Sequence, residues 1–379
     1  MKKTPPILFA LLMLHSFCFA QSVFQKIINE TYTWGGGYVL PNPDGTCWVA
    51  CMKVPPYPDN VNKLWIVKLD ANGVALSGNV VMEKGEFIVK GMEPTRDGGF
   101  VVTGTQSQFT YNPFLAKFNA RGDKEWVQFY KDPKAKQWGH SAQQTADGGY
   151  IICGSTYRQS SDGNALLIKT DAQGNWLWDR VVEEAHVGFS VATCTDGGYI
   201  CAGQTNKYDS QGDTYILKTN AAGEKTWSST FKNTGPDYGI TVKQAIDGGF
   251  VITGNEQNAT TDIGLYKMDA SGKKLWEKTF GGAMNDQARS LDMAPDGSIV
   301  VAGFTQSFKP GTDDREYFLI KTDAQGNERW HKIHGGIGDD YCQSVRICAD
   351  GGCLLGGYSN KNNDGANGIF IAKTDASGN

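Results

Sequence analysis

Beyond its first twenty residues the chain alternates, at short and regular intervals, between apolar runs and polar clusters rich in Gly, Asp, Asn and Ser. In one unit HSAQQT leads to a turn ADGG and the run YIICGST, a polar loop RQSSDGN follows, and ALLIKTD is joined through AQGN to WLWDRVV. Apolar runs bounded by turn residues, with no helical period of useful length, predict four short strands per unit. The second and third runs are apolar almost throughout rather than alternating, the mark of strands covered on both faces. Asp-Gly between such runs predicts a tight two-residue hairpin turn, in which both central residues take positive φ.

The unit repeats. The turn Asp recurs as Asp44, Asp97, Asp147, Asp196, Asp247, Asp296 and Asp350, each followed by Gly, at intervals of 53, 50, 49, 51, 49 and 54 residues. In step with it run Gly73, Gly122, Gly174, Gly223, Gly272, Gly326 and Gly378, with Lys five residues before each. Four residues after this glycine stands Trp126, Trp178, Trp227, Trp276 or Trp330, and Ser77 in the first copy. Seven four-stranded units, each covered by its neighbours, predict an all-β fold: a seven-bladed β-propeller with four antiparallel strands per blade, over residues 21–379. The N-terminal segment QSVFQKIIN matches a fourth strand, whereas FIAKTDASGN ends just after a third. The N-terminal strand is therefore expected to join the last blade and close the ring, which removes an exposed sheet edge.

The unit carrying TADGGYIICGST, LLIKTDAQGN and the following Trp resembles the DGGY-type propeller repeats of secreted proteins from Gram-negative bacteria, many of them exported by the type IX route. In strand order it is also similar to the NHL-type repeat. The chain as read lacks the C-terminal sorting domain that goes with type IX export, so the resemblance implies the repeat and its architecture. It implies little about activity, because such repeats host unrelated functions.

Composition narrows the setting. Lys2 and Lys3, the apolar run from Ile7 to Leu14 and the small residue Ala20 before Gln21 have the form of a signal peptide over residues 1–20, too short to span a bilayer. The expected location is secreted or periplasmic, as a monomer with no transmembrane segment. Net charge is −4, and more negative once Lys2 and Lys3 leave with the leader, which argues against a nucleic-acid partner. The nine cysteines contain no Cys-x-x-Cys and no histidine pair beside one, so no zinc site is expected. If the last DGG turn has two residues, Cys348 faces Cys353 and a cross-strand disulfide is expected.

Features present in every copy are expected to hold the blades together: the turn aspartates by bonding their own backbone, the tryptophans by packing between blades, with sugar stacking as the other role open to them. Function is sought where the copies differ. The first-to-second and third-to-fourth turns are uniform and share one rim; the second-to-third and fourth-to-first loops vary and share the other. Ten residues before the turn Asp stand Asp237, Asp286 and Asp340, with His186 at that place in an earlier copy; Trp138 and His140 are unrepeated. Three acids near the channel mouth suit a cation or a basic ligand, or else each caps its own loop. Asn360, Asn362, Asp364 and Gly365 imitate the start of a calcium loop, but Ile371 stands where its last ligand belongs, so no cofactor is expected beyond a weak case for calcium. The function expected is a binding or scaffold module for an extracellular glycan or protein, using the variable-loop rim. The alternative is a carbohydrate-active hydrolase or lyase using rim carboxylates.

Overall fold

The computed structural model describes residues 22–28, 36–53, 62–81, 85–107, 110–157, 163–205, 212–231, 238–257, 259–309, 311, 314–360 and 368–379. The leader, Asp237 and most of the calcium-like stretch after Asn360 lie outside these residues. The described residues form seven separate four-stranded antiparallel sheets, arranged as the blades of a propeller. We number the blades along the chain: 37–80, 87–129, 136–182, 185–231, 238–280, 286–334, and 339–373 completed by Phe24–Ile28. The N-terminal strand pairs antiparallel with Gly368–Lys373, from Phe24↔Lys373 to Ile28↔Ile369, and so closes the ring. First strands of neighbouring blades touch all the way round, which places them innermost around a central channel.

Burial follows from this arrangement. Tyr150–Tyr157 and Asn164–Thr170, the two middle strands of blade 3, are almost wholly buried, whereas an outer strand such as Lys274–Phe280 is largely exposed. The apolar residues form seven clusters, and each bridges one pair of adjacent blades. Both faces of the middle strands are thus core, which is why their sequence does not alternate.

The repeated tryptophans serve these same joints. A Cβ added to Gly223 in blade 4 would lie 2.5 Å from the ring of Trp178 in blade 3, so ring and turn are in contact. Trp126, Trp227, Trp276 and Trp330 sit likewise on Gly174, Gly272, Gly326 and Gly378 of the following blade. Where the first copy has Ser77, Trp48 from the second strand of blade 1 covers Gly122 instead.

The DGG turn is one residue longer than its sequence predicts. In blade 3 the Gly148 N–H donates to the Thr145 carbonyl (3.0 Å) and the Thr145 N–H to that of Gly149 (2.8 Å), leaving Ala146, Asp147 and Gly148 as the connection. This is the three-residue hairpin that ends in a left-handed residue, and Gly148 has φ 87°. Asp147 accepts the Gly149 N–H (3.0 Å) and reaches the buried Lys169 amine (2.9 Å), which also donates to the Thr170 carbonyl (2.8 Å). A Cβ at Gly149 would come within 2.7 Å of that amine, so the second glycine makes room for the lysine. The pair recurs as Asp97–Lys117, Asp196–Lys218, Asp247–Lys267 and Asp350–Lys373. In blades 1 and 6 the second glycine is Thr46 or Ser298, and the lysine lies elsewhere: Lys68 over Trp48 (5.3 Å) and Lys321 over Trp330 (5.9 Å).

The longer turn also overturns the expected disulfide. Cys353 pairs with Ile347, and the Cys348 N–H donates to Gly352 O (2.8 Å). A one-residue slip in register sends side chains to opposite faces. Cys348 accordingly packs with Cys47 and Val49 in the joint with blade 1, and Cys353 with Val300 and Leu319 in the joint with blade 6. Both thiols are free, and burial pushes them up to about 12 and about 11 respectively.

Candidate functional site: the central channel

Six of the seven inner strands carry a β-bulge at the same place. Pairing jumps from Val89 to Gly91, Gly139 to Ser141, Gly188 to Ser190, Gly239 to Thr241, Ala288 to Ser290 and Cys342 to Ser344. The extra residues are Lys90, His140, Phe189, Ile240, Arg289 and Gln343, and bulges of this kind re-aim a side chain. The inner strand of blade 1 pairs without a bulge and contributes Tyr38. All seven residues line one central cavity of about 510 Å³. The serines that follow four of the bulges tie the ring together. Ser141, Ser190, Ser290 and Ser344 accept N–H bonds from Val191, Val242, Val345 and Val39 of the next inner strand, at 3.4, 3.2, 3.2 and 3.5 Å. Flanking positions are thus small and structural, while the bulged one is free to differ.

In order round the ring stand Tyr38, Lys90, His140, Phe189, Ile240, Arg289 and Gln343, so a polar arc faces a short apolar one. Three residues further along the inner strands, toward the uniform turns, lies a second tier containing Glu93, Gln143, Lys243, Asp292 and Arg346. Its acids are occupied. Arg346 pairs with Glu93 (2.5 Å) and also donates to the Met92 carbonyl (2.8 Å). Lys243 pairs with Asp292 (2.5 Å), whose other oxygen accepts the Ile347 N–H (2.8 Å). Burial works against ionised Asp292, but Lys243 and Arg346 hold it below the usual carboxylate range.

No described carboxylate pairs with Lys90 or Arg289. Arg289 donates to the Gln287 side chain (3.2 Å) and lies over Phe304 (5.8 Å), while its buried Nε has no hydrogen-bond partner among the described residues. Enclosure by the channel wall, and then the neighbouring Arg289 charge, lower the Lys90 amine. Burial and then Lys90 bring His140 down to about 3, so its imidazole is neutral. Burial pushes the Tyr38 hydroxyl up to about 12, so it remains a donor.

Of the described residues singled out in the sequence, only His140 lies in this channel, edge-on to Phe189 with ring centres 5.6 Å apart. Trp138 and His186 meet on the variable-loop side through Tyr157, and Tyr111 covers the other side of Trp138; neither tyrosine stands out in the sequence. Trp138 stacks on Tyr111 (4.6 Å) and meets Tyr157 edge-on (4.8 Å), and the Tyr157 hydroxyl lies 3.3 Å from His186 Nε2. With the Lys136 amine over Tyr111 (5.6 Å), they form a half-buried aromatic strip across blades 2 to 4. Asp286 and Asp340 do not join either group. Asp286 accepts the Gly282 N–H (2.8 Å) and the Ser307 and Thr305 hydroxyls; Asp340 accepts the Gly336 N–H (2.9 Å). Both are wholly buried and cap their own loops. Among the described residues no group of three or more His, Cys, Asp or Glu is placed to hold a metal ion, and no helix is long and apolar enough to cross a membrane.

No protein-family model matches the chain, and no curated protein matches it. Its fold is similar to that of solved β-propellers. A lectin from Burkholderia pseudomallei aligns over 92% of this chain and 98% of its own, with TM-score 0.59 and 7% identity. The Pan2 WD40 domain of Neurospora crassa aligns over 90% of both chains, with TM-score 0.54 and 10% identity. The periplasmic gluconolactonase of Pseudomonas aeruginosa aligns over 80% of this chain and 87% of its own, with TM-score 0.53 and 14% identity. At such identities the likeness shows the propeller fold alone.

Proposed function

We propose that this chain is a secreted or periplasmic binding module that holds an extracellular glycan or protein on its variable-loop rim, over the mouth of the channel. The reading rests on where variation is confined: inner strands with small, bonded flanks differ at the bulged position, and that position faces the cavity in six blades. Variable side chains on a rigid scaffold are the usual seat of recognition. The strip of Tyr111, Trp138 and Tyr157 supports a glycan in particular, since aromatic faces with polar tips suit sugar rings.

The hydrolase or lyase alternative is less well supported. Glycoside chemistry asks for two carboxylates about 5–10 Å apart, flanking the scissile bond. Here Glu93 and Asp292 are each held by a cation, and Asp286 and Asp340 are spent on N–H groups and hydroxyls although Asp262 and Glu316 stand beside them. Glu316 is itself paired with Lys309, and a His140 at about 3 is too weak a base near neutral pH. A lectin and a lactonase both share the fold, so likeness alone does not choose between them.

The test is calorimetry against a panel of oligosaccharides, with product analysis on the same mixtures. We expect binding without new products, weakened about tenfold by Trp138→Ala. Turnover of a bound oligosaccharide would transfer the protein to the hydrolase or lyase class. A panel with no binder would overturn the glycan reading and leave a protein ligand.

A further inference from the structure

We propose that the central channel binds a sugar acid, with its carboxylate between Lys90 and Arg289 and its ring against Phe189 and Ile240; this rests on the binding-module reading and names its ligand class. The first support is a charge imbalance on one concave wall. The wall carries Lys90, Lys243, Arg289 and Arg346, while its acids, Glu93 on the wall and Asp292 behind Lys243, are paired to Arg346 and Lys243. Two cations from blades 2 and 6 are left facing the same cavity, in a chain whose net charge is −4. Two like charges facing one cavity with no described acid between them repel each other, and an anion that visits relieves that repulsion.

The second support is the wiring of those cations. Among the described residues the buried Nε of Arg289 has no hydrogen-bond partner, and a guanidinium offers a fork that suits an oxyanion. The third is the rest of the wall. Phe189 and Ile240 lie next to each other round the ring and offer an apolar face, while Tyr38, Gln143 and Gln343 offer hydrogen bonds to hydroxyls. His140 is neutral and adds no charge. A cavity of about 510 Å³ falls among small-molecule sites, roughly 300–1,000 Å³. A bare anion would use the two cations and leave the apolar arc idle. A neutral sugar would leave the cations uncompensated.

The experiment is calorimetric titration of the folded chain with glucuronate, glucose and inorganic phosphate. Glucuronate should bind, more weakly as salt is raised, with glucose and phosphate each weaker by about tenfold or more. Lys90→Met and Arg289→Met should each cost glucuronate binding about tenfold or more while leaving the melting temperature unchanged or higher. Phe189→Ala should weaken glucuronate and leave phosphate unaffected. If either methionine variant fails to fold, Lys90→Gln and Arg289→Gln give the same readout. No glucuronate binding by the folded wild type, phosphate binding as tight as glucuronate, or full binding by both charge variants would each overturn the proposal. Trp138→Ala lies outside the cavity and should leave glucuronate binding intact. A protein that binds neutral oligosaccharides through Trp138 but ignores glucuronate refutes only the channel site. One that binds glucuronate but no oligosaccharide refutes only the rim reading.

Discussion

The rim of uniform turns and the channel wall put the same residue types to opposite uses. At the rim of uniform turns, lysine and aspartate meet in five blades, and every such lysine is buried with a carboxylate and a carbonyl in reach or a carboxylate alone. Around the channel Lys90 and Arg289 come from single copies and meet no described acid. Repetition at one end marks charges that neutralise each other within a blade. Singularity at the other marks charges that only the assembled ring brings together, and that remain available to something else.

The sharpest way to break the comparison is to remove a repeated part. Trp178→Ala takes the ring off Gly223 and out of the joint between blades 3 and 4, and should cost about 3 kcal/mol in chemical denaturation. Lys90→Met at the other end should cost close to nothing by the same measurement. Equal losses at the two ends would remove the distinction between holding and binding positions.

A second change tests why five turns differ from the other two. Gly149→Ser places a Cβ about 2.1 Å from the Thr170 carbonyl oxygen and 2.7 Å from the Lys169 amine, so the strands must shift and the lysine must leave. Blades 1 and 6 show where it can go, since Lys68 and Lys321 lie over tryptophans beside Thr46 and Ser298. Lys169 is opposite Trp178 across the outer pair of strands and can make the same contact. The expected cost is about 2 kcal/mol, with a change in tryptophan emission. A serine tolerated without loss would mean that the buried lysine does not require the second glycine.

Sequence reached the fold further than it reached the site, for physical reasons. Blade number, strand number and ring closure were legible because every interface must bury the same runs, so YIICGST and ALLIKT recur in kind. The turn was misread by one residue because Asp-Gly suits both a two-residue and a three-residue hairpin, and that residue separated Cys348 from Cys353. Asp286 and Asp340 stood out as acids near the channel mouth, but loops of variable sequence also need caps. The bulged ring did leave a trace, in Gly139-His140-Ser141, Gly188-Phe189-Ser190 and Ala288-Arg289-Ser290, a small residue and a Ser around a variable one. A bulge has no period of its own, however, and the approach of Lys90 to Arg289 across the ring is not a spacing along the chain.

The smallest effect separates the two ends by pH. His140 is brought from its usual 6.5 to about 3, first by burial and then by Lys90 beside it, so folding favours the neutral ring. The stability this contributes is fully present above pH 6.5 and declines as pH falls toward 3. At the uniform rim Asp97 and Asp147 are only partly desolvated, which works against the charge, and bonds from Lys117 and Thr95, or from Thr145 and Lys169, hold them at about 2 against a usual 3.8. Their contribution is complete above about pH 4 and is lost as pH falls through 2. On acidification the channel end should therefore weaken before the turn end. In melting curves against pH, His140→Gln should flatten the slope between pH 6.5 and 4 by about 2 °C, only in part, because burial lowers His334 as well. Asp147→Asn should act only below about pH 4 on the slope, while lowering the plateau above it. A His140→Gln curve parallel to wild type across the upper window would mean that His140 is free to take a proton in the folded ring, and that the channel is a wetter place than its wall indicates.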